Sequence, residues 1–362
     1  MKGQQKVWVL AGILWGLSVS AFAQPDTPVS ETELPDESAA PSPWLLVPKV
    51  SSTPKVGTSA GFLAGYLFSL DQDSTSSMVG AVGSYSNTDS FLGGLFARTF
   101  WNGDSRRLQV FAGGGRINND YSDFLGSGLP AATTDEMKAF FTRYLHEIDN
   151  QWFVGVQGVY TNYLIAGDDF RTQEILKLAG LNGVDSGALG LVLMYDSRNN
   201  QNAPVSGIHF TANNFAYREA LGGEENFDSL NLDFRQYLPH GDGHVLAYHV
   251  SGRWTHDAPN GGYSSVTLRG YTRGQYLAPH STSVEVEERL HVRNRFSINL
   301  FAGAACLYGD GEECGDSDNL YLSYGLGGQY VIKPSENMVV TMDYAKGEGD
   351  NSGFYLRFGQ AF

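Results

Sequence analysis

The chain has 362 residues with 44 Gly, 6 Trp, 19 Tyr and 21 Phe, yet only 17% charged residues and a formal net charge of −15. An acidic balance of this size argues against a nucleic-acid partner. So many glycines and aromatics with so few charges is also unusual for a soluble enzyme of this length.

The first residues read MKGQQK, then an apolar stretch VWVLAGILWGLSVS, then AFA. A basic start, a short apolar run and small residues at Ala21 and Ala23 predict a secretory signal peptide over residues 1–23. A single membrane anchor is the weaker reading, because a span needs about 20 apolar residues. Removing Lys2 and Lys6 moves the net charge from −15 to −17. No Cys follows the cleavage site, so lipid anchoring is not indicated. Residues 24–43, QPDTPVSETELPDESAAPSP, are Pro-rich and acidic with little to bury, and predict a disordered linker.

From residue 44 the pattern becomes short alternating segments, with no apolar run approaching the 18 residues of a membrane helix. In the stretch 229–238, Leu230, Leu232, Phe234 and Leu238 oppose Ser229, Asn231, Asp233, Arg235 and Tyr237. In 284–292, Val284, Val286, Leu290 and Val292 oppose Glu285, Glu287, Arg289 and His291. In 320–332, Leu320, Leu322, Tyr324, Leu326, Tyr330 and Ile332 oppose Tyr321, Ser323, Gly325, Gly327 and Gln329. Period two with one apolar and one polar face is a strand wetted on one side.

Alternation alone also suits a soluble sandwich. Two further features favour a transmembrane barrel: the polar face is charged over many consecutive strands, and connection lengths alternate. NGD, DNQ, HGDG, RNR and KPSE are tight, whereas Asn118–Asp135, Ala166–Gly187, Thr255–Ser281 and Gly309–Asn319 are long. Strands are predicted over 45–52, 57–70, 76–86, 90–101, 106–117, 135–148, 151–165, 187–198, 206–217, 227–238, 244–254, 282–292, 296–308, 320–332, 338–346 and 353–362. That is an all-β, antiparallel transmembrane barrel of sixteen strands over residues 44–362, with fourteen as the alternative count. The last segment, GFYLRFGQAF, sets Phe354, Leu356, Phe358 and Phe362 on one face. Phe358 and the closing aromatic Phe362 are read as the signal by which the assembly machinery recognises a barrel.

Two smaller features sit in the connections. Cys306 and Cys314, eight positions apart in an exported chain, are placed to close one small disulfide loop, with two free thiols as the alternative. TQEILKLAGL, residues 172–181, predicts a turn of helix in the fourth outer loop.

The polar loop after the eleventh predicted strand carries SVTLRGYTRGQY, with Leu268, Arg269, Gly270 and Tyr271 at its centre. This tip resembles the V/L-R-G-F/Y motif of the BamA/TamA family of outer-membrane assembly and translocation barrels, the bacterial surface antigen family. Other elements resemble the same family. YDSRNNQNAPVSG supplies Asp196, Arg198, Asn200, Pro204 and Gly207 of its turn signature. VEVEERL supplies Glu287 and Arg289 of an E-x-R pattern, and Asp343 stands in the element before the last strand. The resemblance covers residues 44–362 and implies that the sixth outer loop folds into the lumen, its Arg on the inner wall.

The sequence departs from that family twice. The family's F-x-D-x-G reads Phe301-Ala302-Gly303-Ala304-Ala305 here, so Gly303 stands where Asp would pair with the loop Arg. Arg269 must then find another anion, and Glu285, Glu287 and Asp343 are the candidates. Only about 20 residues separate the predicted cleavage site from the first strand, too few for a periplasmic polypeptide-transport-associated domain, which points to a barrel-only branch.

No H-E-x-x-H or P-loop occurs. His240, His244 and His249 cluster in sequence but read as solvated polar residues, and AGGGR, residues 112–116, reads as a strand kink rather than a phosphate loop. The expectation is therefore not an enzyme, with no cofactor and no metal. It is an outer-membrane barrel of a Gram-negative bacterium in contact with lipid and lipopolysaccharide, inserted by the assembly machinery. The family implies work on a polypeptide client; the alternative is a passive pore or a structural, adhesive surface barrel.

Overall fold

Alternating apolar and polar residues lay down strands whose two faces differ, and sixteen such strands close on themselves. The computed structural model describes residues 42–53, 57–121, 131–178, 183–271, 276–334, 337–349 and 351–362. The predicted leader, and all but the last two residues of the predicted linker, lie outside the described residues. The strands are β1 (Trp44–Thr53), β2 (Gly57–Phe68), β3 (Ser77–Ser86), β4 (Phe91–Trp101), β5 (Arg106–Tyr121), β6 (Ala131–Asp149), β7 (Trp152–Gly167) and β8 (Gly183–Asp196). They continue with β9 (Gly207–Tyr217), β10 (Phe227–His240), β11 (His244–His256), β14 (His280–Arg293), β15 (Phe296–Tyr308), β16 (Leu320–Lys333), β17 (Met338–Gly347) and β18 (Ser352–Phe358). Two short strands, β12 (Ser264–Ser265) and β13 (Leu277–Ala278), pair with each other inside the loop between β11 and β14. The sixteen long strands pair in chain order and close as an antiparallel barrel, β1 meeting β18.

The distribution of side chains decides between barrel and sandwich. Leu189, Leu191 and Leu193 of β8, Leu230 and Leu238 of β10, and Leu322, Tyr324 and Leu326 of β16 all face outward and are exposed. Their inward neighbours are polar and buried, among them Asn231 on β10, Ser323 on β16, and Ser281, Ser283, Glu285, Glu287 and Arg289 on β14. A sandwich would bury the apolar set; a barrel in lipid exposes it. Aromatic pairs Trp44–Tyr66 and Trp152–Tyr195, each with ring centroids 5.0 Å apart, ring the outside near one end. That end also carries tight turns, whose φ > 0 positions are filled by Asn102, Gly103, Asp104, Asn150, Gly241, Gly243 and Asn294. The long loops gather at the other end.

Strands β5, β6 and β7, of 16, 19 and 16 residues, exceed the ~9–11 needed to cross a bilayer. Their outer parts, predicted as loop because the side chains there are polar, form a ladder that needs only backbone pairing. Helix α1 (Phe170–Leu178) packs beside them and overlaps the predicted 172–181 segment. Asp169 caps it, accepting the Thr172 N–H and hydroxyl at 2.9 Å each, and these bonds hold its carboxyl below its ordinary value. The glycines of 112–116 lie in an unbroken ladder, β4 and β5 pairing from Phe91 with Arg116 to Trp101 with Arg106. The missing side chains leave room for the Phe111 ring, which a Cβ at Gly94 or Gly113 would crowd at 2.6–2.7 Å.

The weakest ladder is the seam. Among the described residues β1 and β18 pair only at Ser51 with Tyr355 and Ser52 with Phe354, whereas β17 and β18 pair from Val340 to Lys346. Pro48, which carries no N–H, is tolerated on such an edge. Below these pairs the seam is closed by side-chain packing, in a cluster with Leu45, Val47 and Met338 buried and Phe358 packed against it.

Candidate functional site

The loop between β11 and β14 turns back into the barrel, and its tip, Leu268 to Tyr271, is buried. Gly270 makes this possible: its φ is +97°, and a Cβ there would sit 3.0 Å from the Gly347 backbone nitrogen. The Gly270 N–H donates to the Tyr355 hydroxyl of β18 at 2.9 Å. The Tyr271 hydroxyl donates to Leu322 O at 2.7 Å and accepts the Glu348 N–H at 2.9 Å. Ser323 donates to Arg269 O. The tip is thus held by β16, β17 and β18, on one side of the seam. Farther out, the Tyr263 hydroxyl donates to Asp310, and partial burial together with that bond pushes the phenol up to about 12.

Arg269 meets all three candidate carboxylates. It donates to Glu285 at 2.6 Å and to Asp343 at 3.1 Å, and lies 2.7 Å from Glu287 Oε2, a charge contact rather than an aligned hydrogen bond. Its guanidinium sits 3.3 Å from the centroid of the Phe301 ring. Glu285 and Glu287 reach it because they are two apart on β14 and therefore share its inward face. Two further cations balance the three carboxylates: Arg289 donates to Glu287 at 2.7 Å, and Arg357 lies 3.5 Å from Asp343. Three guanidiniums face three carboxylates, so the buried cluster carries no net charge.

Gly303 explains how the tip fits without the family's aspartate. A Cβ at 303 would lie 2.8 Å from Leu268 Cδ2 and 2.9 Å from Val284 O. The space an Asp side chain would need is filled by the loop's own leucine. Gly303→Asp is therefore expected to destabilise the barrel by roughly 1–3 kcal/mol through overpacking, despite offering Arg269 another anion. Thermal unfolding followed by heat-dependent gel mobility checks this, and a raised midpoint would contradict it.

The second motif makes a separate cluster at the turn end. Asp196 accepts Arg107 at 2.6 Å and Arg198 at 2.7 and 3.0 Å. The turn then folds inward, with Asn200, Gln201 and Asn202 buried and Arg98 donating to Gln201 at 3.2 Å. Asn200 Oδ1 accepts the N–H groups of Asn202 and Ala203 at 2.8 and 3.0 Å, and Gly207, φ +103°, ends the turn. Pro204 O accepts Arg289 at 3.2 Å.

One predicted placement is corrected. Phe358 ends β18, but Phe362 does not continue its face. Gly359, φ +87°, turns the chain inward, and Phe362 is buried in the lumen with its ring centroid 5.0 Å from that of His249. The left-handed conformation of Gly359 breaks the alternation that the sequence pattern continues to Phe362. The histidines also separate. His240 and His244 lie at a turn, His240 bonded to Glu288 at 2.8 Å, while His249 is in the lumen against Asp233 at 2.8 Å. Cys306 and Cys314 are joined as a disulfide, with Cα atoms 5.5 Å apart, at the start of the loop after β15. Arg107, Tyr355 and Arg357 carry no signal of their own in the sequence, since no charged residue stands two positions from either arginine.

No family model and no curated protein matches the sequence. Solved structures do match. BamA from Haemophilus ducreyi lacking POTRA domains 1–3 aligns with a TM-score of 0.55 at 13% identity, over 88% of this chain and 70% of that one. The fold is that of a BamA-type barrel. CdiB from Acinetobacter baumannii aligns at 0.59 and 12% identity over 86% and 59% of the two chains, and CdiB from Escherichia coli at 0.59 and 10% over 88% and 63%. The chain spans about three fifths of the length of the CdiB chains. In this BamA-type barrel the inward loop tip meets carboxylates of β14 and β17 and a hydroxyl of β18, next to the thin seam.

Proposed function

We propose that this barrel lies in the outer membrane of a Gram-negative bacterium, in contact with lipid and lipopolysaccharide, and handles extended polypeptide by insertion or translocation at its seam. The observation that carries this reading is the short β1–β18 ladder. Ser51 and Ser52 hold the two strands together, and the β1 backbone from Trp44 to Val50 offers an edge on which another strand can pair. The loop tip braces the opposite lip through Asp343 and Tyr355, leaving β1 the compliant side. The likeness to BamA and CdiB barrels supports the same reading at the level of fold. The role assigned is mechanical, with strand pairing rather than bond-making chemistry as the working step.

A photo-crosslinker placed at Leu46, exposed beside the seam, is expected to give adducts with newly made barrel proteins in growing cells. A disulfide staple between Ser52→Cys and Phe354→Cys, register partners across the seam, is expected to remove them. Adducts to lipid alone, with steady single-channel conductance unchanged by the staple, would replace this reading with that of a passive pore.

A further inference from the structure

The inner wall of this barrel is polar on one side and apolar on the other. Strand register sets the inward residues of neighbouring strands side by side in rows. Arg98 lies opposite Gln109, Gln109 opposite Arg143 and Arg143 opposite Gln157, one polar row across β4 to β7. Two residues farther from the turns, Phe96, Phe111, Phe141 and Val159 make the next inward row in the same register. Beyond it come Gly94, Gly113 and Ala139, and then Leu92, Gly115 and Met137.

Barrels of the outer membrane keep a polar interior, and an apolar surface left open to water marks a binding face. Here Val82, Leu92, Phe111, Met137 and Phe141 point inward and are only half-buried. The loop tip leaves them uncovered, since its partners lie on β14 to β18. The Phe111 ring lies over Gly94 and Gly113, which flattens the wall into a track.

The polar row decides which head group suits this track. Arg143 donates Nε and Nη2 to Gln157 Oε1 at 2.9 and 2.6 Å, so its direct acceptor is a neutral amide. Gln157 is held in turn, donating to Asn213 Oδ1 at 2.9 Å and to Asn214 O at 3.0 Å. A carboxylate is the planar anion that a guanidinium fork matches. At the outer end of the track Tyr163 donates to Asp135, whose charge repels an anion. An anionic head therefore belongs toward the turns, with its tail directed outward. From Arg143 to Met137 the strand advances about 20 Å, against the ~15 Å that the acyl chains of one leaflet span.

We infer that this track binds a long-chain fatty acid. Its carboxylate rests on Arg143 and Gln109, and its chain lies along Phe141, Ala139 and Met137. The site is remote from the loop tip and stands independently of the seam reading above.

The test uses the whole barrel in lipid nanodiscs with a diazirine-bearing palmitate, its adducts mapped by mass spectrometry. Leu95 and Phe140 face lipid and give the reference labelling. Adducts at Phe111, Met137 or Phe141 are expected, and unlabelled palmitate should displace them. The methyl ester of the probe keeps the chain and lacks the charge. It is expected to lower the ratio of lumen to lipid-face adducts about tenfold, the worth of a charged hydrogen bond. Arg143→Gln is expected to lower the same ratio by a similar factor. Because the ester comparison needs no substitution, it decides the matter even if Arg143→Gln fails to assemble. Labelling confined to the lipid face would overturn the site, as would equal ratios for acid and ester or for parent and Arg143→Gln. Lumen labelling displaced by an apolar strand peptide and not by palmitate would also overturn it, in favour of a polypeptide occupant.

Discussion

Arg269→Ala is expected to lower the unfolding midpoint of the barrel by roughly 6–15 °C, the equivalent of about 3–5 kcal/mol. The reasoning is a charge count in a buried place. Arg269, Arg289 and Arg357 face Glu285, Glu287 and Asp343, and the side chains of Arg269, Glu287 and Asp343 are 7%, 1% and 1% exposed. With one guanidinium gone, three carboxylates share two cations with little water to compensate, and the Phe301 face loses its cation as well. The asymmetry matters more than the worth of any one pair, since removing a single partner strands the other charges. Arg269→Lys should recover less than half of the loss, because a point charge on a flexible stem cannot reach three carboxylates on two strands at once. Heat-dependent gel mobility gives the midpoint for each variant. An alanine variant as stable as the parent would show that the tip is held by Tyr271 and Gly270 alone.

Much of this was legible in the sequence, and the physical reason is periodicity. Strand alternation is a local property, so Ser281 to Arg289 declared their inward face without any knowledge of neighbours, and turn residues such as Asn102-Gly103-Asp104 marked where strands reverse. The three carboxylates around Arg269 were reachable by the same logic: an inward cation without its expected Asp needs inward anions near it. What the sequence hid depends on ring closure. That Arg107 on β5 meets Asp196 at the end of β8, or that Phe362 reaches Arg289 on β14, follows only once the barrel has curved far enough to bring those strands across a lumen. The inward course of residues 359–362 was hidden for a different reason. The pattern of GFYLRFGQAF is compatible with a strand to its end, and only the left-handed conformation at Gly359 ends it early. The partners of the turn SRNNQNAPVS were hidden as the cross-lumen pairs were: its polar side chains find them in a wall that the local sequence does not contain.

That turn carries the second large effect. Asp196→Ala is expected to prevent accumulation of folded barrel, and to cost at least as much as Arg269→Ala where any folds. The arginines at the turn end depend on one directly bonded carboxylate. Asp196 is the carboxylate that accepts both Arg107 and Arg198, and Arg98 lies close by, bonded to Gln201 and 5.0 Å from the Phe100 ring. The Arg107 guanidinium is further enclosed, 4.0 Å from the Phe153 ring. Removing the carboxylate therefore leaves buried cations facing one another, where Arg269→Ala leaves carboxylates that can take up a proton. Arginine has no such escape, because it does not deprotonate in proteins. Asp196→Asn should fall between parent and alanine, since the amide oxygen still accepts one guanidinium bond but supplies no charge. The readout is the fraction of membrane-inserted chain that shows the heat-modifiable form, together with protease cutting in 197–206, which should rise as the turn loses its hold on Arg198. Normal yields of folded Asp196→Ala with an uncut turn would mean that Gln201 and the lumen backbone, rather than the carboxylate, keep those arginines in place.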